Sequence, residues 1–448
     1  MEKRACWISY LDFELYLKDL NETEFREQVS SMYDIILEHQ LNTVIVHVRA
    51  FGDAIYPSDY YPYATYLYSD RNSRGYDALK IMIDMAHERG IYFEAWINPY
   101  RISKDDASTA SYLQTKQYES ILPYTIMYQT ANGETAMALD PKSEKTQALI
   151  VNGVRELLDN YAVDGIHFDD YFYVRGMDDD LSTSLKMEYV NQLIQQVYEV
   201  VHQYKNVTFG ISPAGNLENA RAQGADVDIW LSQDGYIDYI MPQIYWSDMY
   251  IVNEETIRMF KNRCNEWMNI NMLHKPMYIG LALYRVGEKD FVDYGWSEHS
   301  RNLADQCAYL YENGCNGFAL FRFEWLRKEQ SEAELCALKE YIIKYRLQEQ
   351  SSYTEENYHA WNHSTDEIPK CITENVEKCF PGYGSVSMFM KDYFLIYAIK
   401  YTDGTFGSWK KYSMFDNKWM SEYDPEIKII GIPREDVKKY LIFYWQVL

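Results

Sequence analysis

Apolar residues recur along the first 346 positions in two alternating patterns. Short, nearly continuous runs appear at 4–10 (RACWISY), 43–51 (TVIVHVRAF), 91–97 (IYFEAWI), 163–168 (VDGIHF), 207–212 (VTFGIS), 237–246 (IDYIMPQIYW), 276–284 (PMYIGLALY) and 317–325 (GFALFRFEW). Between them lie stretches with apolar residues at helical spacing, over 24–40, 77–89, 146–161, 187–204, 254–268, 300–313 and 331–345. Strands that read as continuous apolar runs suit a parallel sheet covered on both faces. Eight such units predict an α/β fold of the (β/α)8 TIM-barrel type. An open doubly wound sheet would place a glycine-rich phosphate loop early in the chain, and neither GxGxxG nor GxxxxGK[ST] occurs.

The pattern breaks in two places. Residues 102–139 read as a long polar insertion after the third strand. From 347 onward the helical spacing stops. Residues 347–383 are polar and irregular, and 384–448 carry short alternating strands with turn signals at Asp403-Gly404 and Gly431-Ile432-Pro433. The expected division is a barrel over 1–346, a linker over 347–383 and a small, mostly β domain over 384–448. Carbohydrate binding and a structural cap are both open roles for that last piece. Ser331 and Glu334 have the spacing of a capping box for the final barrel helix.

In a barrel of this kind chemistry sits at the C-terminal strand ends. Those ends hold His47, Arg49 and Asp53 on the second strand; Glu94, Trp96, Asn98 and Arg101 on the third; and Asp140 in the loop that follows. The fourth offers His167, Asp169, Asp170 and Tyr171. Asn216, Gln243, Tyr245, Trp246, Arg322, Glu324 and Trp325 follow on later strands. Side chains alternate across a strand. His167, Asp169 and Tyr171 should therefore face the lumen, and Asp170 should do so only if the strand end bulges. Glu94, Trp96 and Asn98 share a parity, which places Glu94 at the mouth beside Asp169. A carboxylate pair flanking a glycosidic bond is what hydrolysis needs. Asp169 and Glu94 are the leading candidates, with Asp170 and Glu324 in reserve. Arg49, Trp96, Asn98, Arg101, Asp140, His167, Tyr171, Asn216, Gln243, Tyr245 and Trp246 are expected to bind substrate. His47, His167 and Asp169 form a rival metal-ligand set, though no HxH or HExxH supports it.

Composition narrows the partners. Forty-three tyrosines suit sugar faces as well as ordinary packing. A net charge of −24 repels nucleic acid. Seven cysteines without CxxC point to neither a zinc site nor a dense disulfide framework, although Cys371 and Cys379 are close enough in sequence to pair. No motif calls for a cofactor. No apolar run is long enough for a transmembrane helix, and no signal peptide is visible. The expectation is a cytoplasmic protein, or an envelope or secreted one if a leader has been removed.

The segments RACWISYLDF, NTVIVHVRAFGDAIYPS, EAWINPYR, VDGIHFDDYFY, GISPAGN and IDYIMPQIYW resemble the glycosyl hydrolase-like 10 family (domain of unknown function 187). These are bacterial proteins with a (β/α)8 barrel. The resemblance spans roughly residues 3–330. It implies glycoside hydrolysis, with members linked to peptidoglycan glycan strands or other envelope sugars. It implies Asp169 and Asp170 as site acids, Glu94 as a further one, and Asn98, Arg101, Gln243, Tyr245 and Trp246 as pocket residues. Two departures bear on subsite shape: Ala214-Gly215-Asn216-Leu217 stands where an aromatic loop is expected, and Val174 where a proline is expected.

The expected function is thus a glycoside hydrolase using two carboxylates. The rivals are a non-catalytic carbohydrate-binding protein on the same barrel and a metal-dependent hydrolase.

Overall fold

A computed structural model describes residues 2–174 and 176–351, and the strands at 383–391, 394–401, 410–413 and 418–419. The chain divides into two compact units, Met1–Ile343 and Lys344–Leu448.

The first unit is the barrel. Its strands are β1 (Lys3–Ile8), β2 (Thr43–Arg49), β3 (Tyr92–Ile97), β4 (Gly165–Phe168), β5 (Thr208–Ile211), β6 (Tyr239–Ile240), β7 (Tyr278–Leu281) and β8 (Gly317–Leu320). They pair in parallel in the order β7-β8-β1-β2-β3-β4-β5-β6. Parallel bridges Ile240–Met277 and Gln243–Gly280 join β6 to β7 and close the ring. β6 is short because Pro242 follows it and cannot donate to a ladder.

The covering helices are α1 (Glu22–Glu38), α2 (Ala78–His87), α3 (Glu144–Asn160), α4 (Thr183–Val201), α5 (Met259–Ile270), α6 (Asn302–Glu312) and α7 (Glu332–Ser351). Outward-facing strand residues such as Val44, Val46, Phe93, Ile166 and Phe168 pack against them, all fully buried. Inward-facing Ala5, Trp7, Ile45, Trp96, Tyr239, Met241, Tyr278 and Ala319 form a separate cluster inside the ring. Glycine makes room there: a Cβ on Gly210 would lie 2.0 Å from the Tyr239 ring.

Three expectations change. The insertion after β3 is structured, with helices Asp106–Tyr112 and Lys116–Ile121 and an antiparallel ribbon of Thr125–Gln129 on Thr135–Leu139. The stretch expected as one helix over 254–268 opens as a second ribbon, Tyr250–Val252 on Glu255–Ile257. Asn253 and Glu254 turn it at φ 49° and 69°, the left-handed pair that a two-residue hairpin needs. Glu334 makes no capping box with Ser331. Its carboxylate instead accepts from the backbone N–H groups of Asn302 and Leu303, at 2.9 and 3.0 Å, and so caps α6 across the fold. A carboxylate there satisfies two orphan donors and sits at the favourable end of the helix dipole.

The second unit carries a four-stranded antiparallel sheet, Tyr383–Lys391, Phe394–Tyr401, Lys410–Ser413 and Lys418–Trp419 in that order. The start of the expected linker, 347–351, belongs to α7, while 352–382, with Cys371 and Cys379, lies outside the described residues. The turns expected at 403–404 and 431–433 also lie outside them.

Candidate active site

β4 ends at Phe168, and the chain then leaves strand geometry. Asp169 keeps the inward parity of His167 and reaches the lumen 2% exposed. Asp170 escapes the parity rule because it lies beyond the ladder. Its Oδ1 accepts from Gln243 Nε2 at 3.2 Å, and Gln243 is fixed in turn by donating to the Ser212 carbonyl at 2.8 Å. The two acids therefore share one edge of the mouth.

Asp169 is tightly held. Its Oδ2 accepts from the Trp96 indole at 2.9 Å and from Asn98 Nδ2 at 3.2 Å, and its Oδ1 accepts from the Tyr171 N–H at 3.2 Å. Asn98 is itself oriented, its Oδ1 accepting from the Arg101 N–H at 3.0 Å. Burial and the neighbouring Asp170 charge push the Asp169 carboxyl up to about 7, against the pull of Arg101, Trp96 and Tyr171. Burial also raises Asp170. Two coupled acids with raised affinity hold one proton between them near neutral pH.

His47, one of the strand-end residues and a member of the rival metal set, lines the site. It stacks on Trp96 with centroids 3.3 Å apart. Its Nδ1 accepts from the Tyr10 N–H at 3.3 Å, which leaves the proton on Nε2. That nitrogen lies 3.9 Å from Asp169 Oδ2 and has no hydrogen-bond partner. Burial and the Arg101 charge keep the ring neutral. The Tyr245 hydroxyl is a second buried group without a partner. Arg101 stands at the rim, 4.3 Å over the Tyr171 ring and 4.5 Å over Phe51. Trp246 is half-buried, its carbonyl accepting from Gln306 Nε2 and its ring under Arg263.

Several expected site residues are placed elsewhere. Glu94 lies one inward layer below Trp96, in a buried ion pair with Lys3, and accepts from the Tyr239 hydroxyl at 2.7 Å. It is not at the mouth, and its partner Lys3 had no role in the sequence reading. His167 is fully buried and spends both ring nitrogens, on Tyr239 at 2.8 Å and Ser212 at 3.0 Å. Arg49 leaves the lumen where β2 slips register between His47 and Arg49, and packs on Tyr61 and against Gly153 of α3. Asn216 caps the short helix Leu217–Ala222. Asp140 sits in the turn before α3, accepting from the Lys142 N–H at 3.0 Å. Glu324 pairs with Arg322 and Lys328; burial opposes its charge, but the two cations outweigh that and leave its affinity for a proton lowered. The rival metal set is not brought together, since His167 commits both ring nitrogens to Tyr239 and Ser212. Among the described residues no three His, Cys, Asp or Glu side chains come together as a metal-binding group.

The profile of the glycosyl hydrolase-like 10 family matches residues 2–178 and 175–298. The chain belongs to the glycosyl hydrolase-like 10 family. It is similar to glycosyl hydrolase YngK of Bacillus subtilis (strain 168), 29% identical over 336 residues, covering 66% of this chain and 63% of that protein's length. It is also similar to glycosyl hydrolase DigH of Escherichia coli (strain K12), 28% identical over 345 residues, covering 67% of this chain and 76% of that one. Among solved structures, the PgaB (BpsB) glycoside hydrolase domain of Bordetella bronchiseptica superposes at TM-score 0.51 with 12% identity, covering 75% of this chain and 99% of that domain. The catalytic domain of a Paenibacillus polymyxa β-amylase does so at TM-score 0.51 with 11% identity, covering 77% and 98%. At those identities the structures speak for the fold alone. No helix among the described residues is long and apolar enough to cross a membrane.

Proposed function

We propose that this protein hydrolyses glycosidic bonds in a complex bacterial envelope glycan, with peptidoglycan glycan strands as the leading substrate. The observation that carries the reading is the Asp169–Asp170 pair: a carboxyl pushed up to about 7 beside a second acid at the mouth of the barrel. A proton-transfer group works best with its affinity near the operating pH. Asp169 and Asp170 are the catalytic acids in this reading. Trp96 and Asn98 hold Asp169, Gln243 holds Asp170, and His47, Arg101, Tyr171, Tyr245 and Trp246 line the pocket. Glu94 serves as the counter-charge of Lys3.

The test is a screen of denuded peptidoglycan strands against a panel of plant and host glycans, with product masses read out. New reducing ends from the denuded strands support the proposal. Intact masses across the panel would refute it.

A further inference from the structure

We propose that the floor of this site binds the 2-acetamido group of a 2-acetamido-2-deoxy sugar and uses its carbonyl oxygen as the nucleophile. The proposal rests on the glycosidase reading above and names the substrate class and the division of labour.

The first argument is the placement of the acids. Asp169 and Asp170 are neighbours at one strand end, so they approach a sugar from one side of the mouth. The usual schemes place two carboxylates on opposite sides of the scissile bond. Glu94 is committed to Lys3 and Tyr239, and Glu324 to Arg322 and Lys328. Neither is free to be the opposite partner. A substrate that brings its own nucleophile removes the need for one.

The second argument is the set of unused polar atoms. His47 is 1% exposed, and its Nε2–H, 3.9 Å from Asp169, is unpartnered. The Tyr245 hydroxyl is also buried and unpartnered. It feels the charges of both Asp170 and Asp169, and burial above all keeps it protonated, hence a donor. Buried polar groups without partners are rare and costly. Asp169 Oδ1 has accepted only one bond and keeps capacity for another. The floor thus offers a carboxylate acceptor beside free donors. An acetamido group offers one N–H and one carbonyl. Its methyl needs an apolar surface, and aromatic rings supply one: Tyr245 lies 5.8 Å from Phe321, which lies 5.9 Å from Trp7.

The roles follow. Asp169 accepts from the acetamido N–H. That bond favours its charged form and sends the shared proton to Asp170. Asp170 has an oxygen beyond the one held by Gln243 and sits partly exposed, where a leaving group is reachable. Tyr245 donates to the carbonyl oxygen and aims it. The carbonyl oxygen bonds to C1 as the C1–O glycosidic bond breaks, and the departing oxygen takes the Asp170 proton. The cyclic oxazolinium ion keeps its N–H on Asp169. Water then bonds to C1 and gives a proton to Asp170, the C1 bond to the carbonyl oxygen breaks, and the acetamide is restored. The sum is one water added, with the anomeric configuration retained.

The test uses the whole protein and N-acetylglucosamine thiazoline, a stable mimic of the cyclic ion, in a calorimetric titration. The thiazoline is expected to bind at least about 100-fold tighter than N-acetylglucosamine, as such mimics do. Tyr245→Phe should lose about tenfold of that, the worth of one hydrogen bond, with an unchanged melting temperature. Equal affinity for the two ligands, or a Tyr245→Phe variant that binds the thiazoline as wild type does, overturns the inference. A parallel cleavage of denuded strands separates the two claims. Reducing ends without thiazoline preference leave the glycosidase standing and remove assistance by the acetamido group, and so does an inverted product anomer.

Discussion

The Trp96 indole N–H donates to Asp169 Oδ2 at 2.9 Å, across the seam between β3 and β4. The bond favours the charged form of a carboxyl that burial drives toward the neutral one. Trp96, expected to bind substrate, is thus a clamp on the acid. Trp96→Phe removes the donor and keeps the ring. The Asp169–Asp170 pair should then hold its proton to higher pH, and the alkaline limb of the pH–rate profile should move up. A limb that stays in place would show that this bond does not tune the acid.

The same carboxyl links stability to pH. In the folded chain Asp169 keeps its proton to about pH 7, against an ordinary value of 3.8. Between those values the folded state binds the extra proton, so its contribution to stability is present at low pH and lost as pH rises through that window. Melting temperature should fall across it. Asp169→Asn should flatten that slope, and an unchanged slope would place the titration elsewhere.

Glu94 separates structure from chemistry. Glu94→Gln leaves Lys3 charged and buried without its partner, and breaking such a pair costs roughly 3–5 kcal/mol. Chemical denaturation should show that loss, while the protein that remains folded keeps its turnover per molecule. Loss of turnover with full stability would return Glu94 to the catalytic pair.

Much of this was legible in the sequence. Period-two alternation placed Asp169 in the lumen and Phe168 outside, and the apolar runs located the eight strands. Alternation holds only while the ladder lasts. It failed for Asp170, two residues past the end of β4, and for Arg49, after a register slip. It also says nothing about depth. Glu94 and Trp96 share a face but differ by one layer, which separates an ion pair at the core from a contact with the acid. Lys3 carried the missing signal: a lysine opening an otherwise apolar strand needs an inward partner. Asn216 was misread because helix caps and pocket residues draw on the same polar side chains, and Glu334, read as a cap of its own helix, caps α6 instead because spacing along the chain does not show a partner across the fold.

Glu334 offers a check on the fold apart from the site. Glu334→Ala uncaps α6 and leaves two backbone donors buried, at a cost of about 1–2 kcal/mol. A drop in melting temperature with unaltered glycan cleavage is the expected result. No change in melting temperature would mean that the cap contributes nothing.

The most direct measurement compares wild type with Asp169→Asn on denuded peptidoglycan strands, counting reducing ends while far-ultraviolet circular dichroism monitors the fold. Wild type should release reducing ends, and the variant, which breaks the Asp169–Asp170 pair that holds the catalytic proton, should fall by about 10²–10⁴-fold with an unchanged spectrum. A folded Asp169→Asn protein that cleaves as fast as wild type would contradict the assignment of Asp169.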